Sequence, residues 1–251
     1  MKYAICLFGQ PREFNKGYSL INEMIKNNKN DTFDIYFHCW IDDNITFSAA
    51  KWRNIDINTL KIGDSNKVKT DILDLFKPIN YIFEKPLDNT EYNKIKSIVE
   101  SSLMYKNCTQ TLIDNTYNII SQYYSRNKVR DLLNFEIENN NREYDMVIQT
   151  RFDGYSFPKI MNLDNINKNF LYVDKMYYPR KLIPDYFLII PVNVYLKWFD
   201  ILRNLPNIIN NENLQQTIIS YKENFIFNAE ELVFANYLYF YDLKDIKYLC
   251  D

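Results

Sequence analysis

Short, unbroken apolar runs alternate with longer stretches in which apolar residues recur every three or four positions, and this alternation organises the whole chain. YAICLF at 3–8, FDIYFHCW at 33–40 and NYIFE at 80–84 are rich in aromatic and β-branched residues and bounded by polar joints, which predicts strands. Helices are predicted between them at 18–27 and 65–76, the second stopping before Pro78. Crossovers of that length suit parallel neighbours. Further helices are expected over 91–104 and 109–137, the longer one carrying Leu112, Ile119, Tyr123, Leu132 and Leu133 among its apolar positions. After the polar break at Asn139, Asn140 and Asn141, the run DMVIQTRFDG reads as a buried strand that ends in charge. The last third predicts strands at 169–174 and 186–191, helices at 192–203, 212–222 and 229–241, and a final strand in IKYLC. The pattern is α/β: a single domain over 1–251, with a mostly parallel central sheet flanked by helices.

Composition narrows what such a domain can do. Only 4 glycines occur in 251 residues, so neither a glycine-rich dinucleotide fingerprint nor a phosphate-binding P-loop is present. Any bound phosphate must be held by side chains and a metal. Lys+Arg 30 against Asp+Glu 32 leaves a net charge of -2 without a basic track, which argues against nucleic acid as a partner. Cys6, Cys39, Cys108 and Cys250 have no metal-ligand spacing and read as reduced thiols, which points to a cytoplasmic setting. No run of 18 apolar residues exists, so no integral membrane segment is expected.

Candidate chemistry gathers where the strands end. In a strand, residues i and i+2 share a side, so Arg151 and Asp153 are expected to emerge together from the TRFD strand. A carboxylate at the carboxyl end of a central strand can ligate Mg²⁺ or Mn²⁺, with Arg151 as a positive fork for a diphosphate. The competing reading is an Arg–Asp pair that anchors a loop. GQPR, directly after the first strand, delivers Gln10 and Arg12 to the same edge, unless it is a surface turn with a solvated arginine. His38 is the only histidine, which excludes a histidine-based zinc site and leaves a satisfied, partly buried imidazole as its default role. SQYYSRNKVRDL sets Gln122, Arg126 and Arg130 on one helical stripe that either borders a nucleotide pocket or forms a solvated face. Asp185 follows Pro184 at a strand entrance; Glu230 and Glu231 open the helix of NAEELVFANYL, where helix-dipole partnership explains them equally well.

Taken in order, ICLFGQPR, DIYFHCW, SQYYSRNKVRDL, YDMVIQTRFD, PDYFLI and NAEELVFANYL resemble the landmarks of a family of nucleotide-sugar glycosyltransferases found in bacterial surface-polysaccharide clusters and in large DNA viruses. That resemblance implies a fold of the GT-A type, with a nucleotide-binding part over about 1–153 and an acceptor-side part over about 154–251. It implies a nucleoside diphosphate sugar as donor, a glycan or other hydroxyl as acceptor, and a divalent metal on Asp153. The usual Asp-x-Asp of such enzymes is altered here, because Arg151 stands at the first position. By the same resemblance Gln10, Arg12, Gln122, Arg126 and Arg151 border the nucleotide, while Asp185, Glu230 and Glu231 are base candidates for an inverting transfer. Two other readings share the architecture: a catalytically idle nucleotide-sugar or glycan-binding protein, and a sugar nucleotidyltransferase. Cytoplasm, or host cytoplasm for a virus, is the expected location.

Overall fold

β1 (Lys2–Gly9) owes its central place to two-sided burial: Tyr3, Ile5 and Leu7 enter one core and Ala4 and Cys6 the other, the period of two that a pleated strand imposes. The chain was characterised as a computed structural model describing residues 1–43, 63–102, 116–154, 157, 162–174, 183, 186–221, 229–241 and 243–249. Around β1 the described strands are β2 (Thr32–Trp40), β3 (Asn80–Glu84), β4 (Met146–Arg151), β5 (Leu171–Asp174), β6 (Phe187–Pro191) and β7 (Ile246–Leu249). They form one seven-stranded sheet in the order β3-β2-β1-β4-β6-β5-β7.

The sheet is mixed. β1 pairs in parallel with β2 and β4, β2 with β3, and β5 with β7, but β6 runs antiparallel to both β4 and β5. The expectation of a mostly parallel sheet is corrected at β6. The reason is physical: a strand buried on both faces is a continuous apolar run, and FLIIP is buried along its full length, so its pattern carries no sign of direction.

The helices occupy both faces. α1 (Phe14–Asn27) and α2 (Ser65–Phe76) place Ile21, Met24, Ile72 and Phe76 on the Tyr3–Ile5–Leu7 side. α2 begins where the Asp64 carboxylate accepts the amides of Asn66 and Lys67, a standard side-chain cap. α3 (Asn89–Glu100) is capped likewise by Asp88, and α4 (Thr116–Asn140) lies along β1 and β2 on the opposite face. The helix expected over 192–203 is two: α5 (Val192–Trp198) and α6 (Ile201–Ile209). The helix breaks at Phe199 (φ -85, ψ 12) and Asp200 (φ -78, ψ 45), which leave helical geometry while Trp198, Phe199 and Ile201 all stay buried. α7 (Glu212–Tyr221) and α8 (Ala229–Phe240) complete that layer, and Tyr237 of α8 packs edge-on against Trp198. Among the described residues no helix is long and apolar enough to cross a membrane.

Candidate functional site

The strand order creates one place where chemistry is easiest to build. From β1 the chain moves to β2 and β3 on one side and later returns to β4 on the other, with α1 and α4 on opposite faces. The carboxyl ends of β1 and β4 therefore meet at a topological switch point, the place at which open α/β sheets bind ligands. Phe8 and Arg151 are partners in the β1–β4 register, so GQPR and TRFD leave the sheet side by side. Gly9 takes φ 97, a conformation other residues avoid, and turns the chain. The next turn is tight, Arg12 N–H donating to the Gln10 carbonyl at 2.9 Å, and the Arg12 side chain is half-buried.

On the other bank, Arg151 and Asp153 form an ion pair, Nη2 to Oδ2 at 2.5 Å, with side-chain exposures of 17% and 9%. The turn carrying them closes when Gly154 N–H donates to the Arg151 carbonyl at 3.1 Å. Helix α1 comes unusually near it. A Cβ on Gly17 would lie 1.8 Å from the Phe152 carbonyl oxygen, and one on Gly154 only 2.9 Å from Leu20 Cδ1, so this contact exists only because both residues are glycine. One pleat below Arg151 on the same side of β4, the wholly buried Gln149 amide has no partner among the described residues.

These residues do not fit a divalent cation by themselves. Mg²⁺ and Mn²⁺ call for several oxygen ligands, whereas the described residues contain no group of three acidic, histidine or cysteine side chains able to hold one. The Asp153 carboxylate already faces a guanidinium, which repels a metal and cannot ligate it.

Helix α4 supplies the wall behind β1. Arg126 is wholly buried with its guanidinium 4.4 Å above the Phe8 ring, and it also faces Tyr123 and Phe199. Gln122, one turn earlier, is half-buried, whereas Arg130 is turned away to the Leu196 carbonyl at 2.7 Å and to Asp131. Between them Ser125 accepts the Gly9 amide at 2.8 Å and meets His38 Nδ1 at 2.7 Å. His38 Nε2 lies 2.9 Å from Glu84, whose other oxygen accepts the Tyr124 hydroxyl at 3.2 Å. Burial holds the His38 pKa below its ordinary value, against the upward pull of Glu84; the His38 hydrogen bond in turn lowers Glu84. His38 is thus the satisfied imidazole its sequence suggested.

No protein family and no curated protein matches this sequence. Among solved structures, this chain is similar to the galactosyltransferase LgtC in complex with donor and acceptor sugar analogs, with a TM-score of 0.36 and 10% identity over 99% of this chain and 73% of that one. An active-site mutant of LgtC gives a TM-score of 0.35 at 9% identity, covering 99% and 72%. A likeness this distant carries no activity across.

The structure brings Gln10, Arg12, Arg151 and Asp153 to one edge, with Gln122 and Arg126 on the helix behind it. Asp185 lies outside the described residues. Glu230 and Glu231 stand in the first turn of α8, and their side chains lie outside the described residues. The sequence singled out neither Gly17 nor Glu84, and it showed Gly154 and Ser125 only as members of DMVIQTRFDG and SQYYSRNKVRDL, without their contacts. For the glycines a signal existed: when a chain has only 4, each one is placed for a reason. For Ser125 and Glu84 none did, because their partners are far away in sequence.

Proposed function

We propose that this chain is a glycosyltransferase that holds a nucleoside diphosphate sugar in the β1–β4 crevice and passes the sugar to a hydroxyl of a glycan or other acceptor. The observation that carries the anion-binding part is the delivery of Arg12 and Arg151 to one switch point by two adjacent parallel strands. The sugar-transfer part is supported by the sequence resemblance. As the bond from the anomeric carbon to the diphosphate breaks, negative charge grows on the leaving oxygen. Preorganised guanidinium groups stabilise that growing charge more strongly than the smaller charge of the intact diphosphate, at about 1.5–3 kcal/mol per charge-assisted bond. The acceptor oxygen attacks from the opposite side with inversion, and its proton passes to a carboxylate, for which Asp185 and Glu230 are the candidates. Asp153 serves here to orient Arg151, and no step is assigned to a metal.

The test is turnover against a panel of nucleoside diphosphate sugars, with Asp185→Asn and Glu230→Gln assayed at saturating donor. The base variant should lose roughly 10²- to 10⁴-fold in turnover while still binding donor. A second reading, a nucleotide-sugar-binding protein without turnover, is favoured by one observation: the single acidic side chain of TRFD is consumed by its own arginine. Donor binding without product across the panel would select it.

A further inference from the structure

The contacts linking His38, Ser125 and Glu84 decide which nitrogen of a neutral ring carries the proton, since the Glu84 carboxylate can only accept. Ser125 Oγ already accepts the Gly9 amide at 2.8 Å, so its own proton must go to an acceptor. His38 Nδ1 stands at 2.7 Å and the His38 carbonyl at 3.4 Å, which is too long to compete. Nδ1 therefore accepts, the ring carries its proton on Nε2, and that N–H donates to Glu84 at 2.9 Å. A directional chain results, from Gly9 on β1 through Ser125 on α4 and His38 on β2 to Glu84 on β3. Its first link, Gly9, is the residue from which GQPR leaves the sheet.

We propose that His38 is a pH-responsive positioning residue: through Ser125 it holds the turn after β1, and taking a proton on Nδ1 turns the Ser125 hydroxyl away and loosens its hold on Gly9. A protonated Nδ1 is a donor, so it takes the second lone pair of the Ser125 oxygen; the Ser125 hydroxyl must then turn to the distant His38 carbonyl, which reorients the oxygen that holds the Gly9 amide and weakens that bond. The groups facing the ring set the balance. Glu84 on β3 favours the imidazolium; Lys128, which lies 4.9 Å over the Tyr124 ring on α4, opposes it. Trp40 on the same strand packs edge-on at 4.5 Å, and Phe8, its β1 partner, brings no charge. Complete burial opposes the imidazolium most, so the neutral form persists below the usual histidine range. The consequence for function rests on the crevice reading above: displacing Gly9 moves Gln10 and Arg12.

Because His38 is the only histidine and Gly9 one of 4 glycines, nuclear magnetic resonance can follow both in the intact chain. The ring nitrogen shifts should report the Nε2–H tautomer near neutral pH, and the Gly9 amide should titrate with the same midpoint as the ring. In Ser125→Ala, hydrogen exchange at Gly9 should quicken about 5- to 10-fold while Ile5 and Leu7 in the same strand keep their protection. An Nδ1–H tautomer, separate midpoints, or exchange loosened evenly along β1 would each overturn the proposal. Should Ser125→Ala not fold, the tautomer and the shared midpoint in the unmodified chain still decide it. Calorimetry with inorganic pyrophosphate, comparing the unmodified chain with His38→Gln at each pH, reads the link to the crevice. If His38 and Gly9 titrate together but pyrophosphate never binds, the positioning role stands and the diphosphate reading falls.

Discussion

Gly17→Ala adds one methyl group where the structure has no room for it. The new Cβ would sit 1.8 Å from the Phe152 carbonyl oxygen, 2.8 Å from its carbon and 3.0 Å from Gly154 N, where real Cβ contacts essentially never fall below 3.0 Å. Helix α1 and the 151–154 turn must therefore separate by more than about 1 Å, and the obstacle is backbone, which cannot rotate aside. Overpacking of this kind costs about 1–3 kcal/mol, and a backbone clash belongs at the upper end. Alanine in mid-helix returns up to about 1 kcal/mol relative to glycine. The net expectation is a loss of about 2 kcal/mol, or a fall in Tm of about 4–8 °C for a chain of this size. The displaced turn carries Arg151 and Asp153, and an error of about 1 Å in a positioned group can cost up to about 100-fold in rate. Thermal unfolding followed by circular dichroism gives the first quantity, and pyrophosphate calorimetry on the folded variant gives affinity. A Tm at or above that of the unmodified chain, with affinity unchanged, would refute the close-packing argument, because helix propensity alone would then be deciding the outcome.

Arg12→Ala should raise the pyrophosphate dissociation constant about 10- to 100-fold in calorimetry without altering Tm; an unchanged titration returns Arg12 to a solvent role. Asp153→Asn should weaken binding to the same degree with and without Mn²⁺, since the carboxylate orients Arg151; a loss confined to the Mn²⁺ titration would make Asp153 a metal ligand instead. His38 has a lowered pKa in the folded chain, so as pH falls through about 6.5 the unfolded chain takes up its proton first and stability is lost until the folded value is reached. Glu84, also lowered, contributes stability above its unfolded value that disappears as pH falls through its folded one, so urea midpoints should drop on acidification through both windows. His38→Gln should flatten the upper window and shrink the lower one, because the His38 hydrogen bond is the main cause of the lowered Glu84 value.

How much could be read in the sequence differs sharply between elements. YAICLF and MVIQT announced their strands because two-sided burial demands unbroken hydrophobicity, whereas NYIFE, half-buried at the sheet edge, and FDIYFHCW were legible from their aromatic and β-branched residues. Arg151 and Asp153 do meet, but across the turn that follows β4 and not along its pleat, since the strand ends at Arg151. The direction of β6 did not follow, since FLIIP reads alike either way, and neither did the break at Phe199, which depends on what α5 and α6 pack against. Tertiary structure alone decided that β1 and β4 are direct neighbours, so that GQPR and TRFD, expected at one edge of the sheet, leave it side by side although more than a hundred residues separate them. It alone joined Gly9, His38, Glu84 and Ser125, whose spacing follows no helical or strand period. Periodicity records which side of an element is buried; it carries no record of which element covers it, and a hydrogen bond between distant residues depends on that second fact.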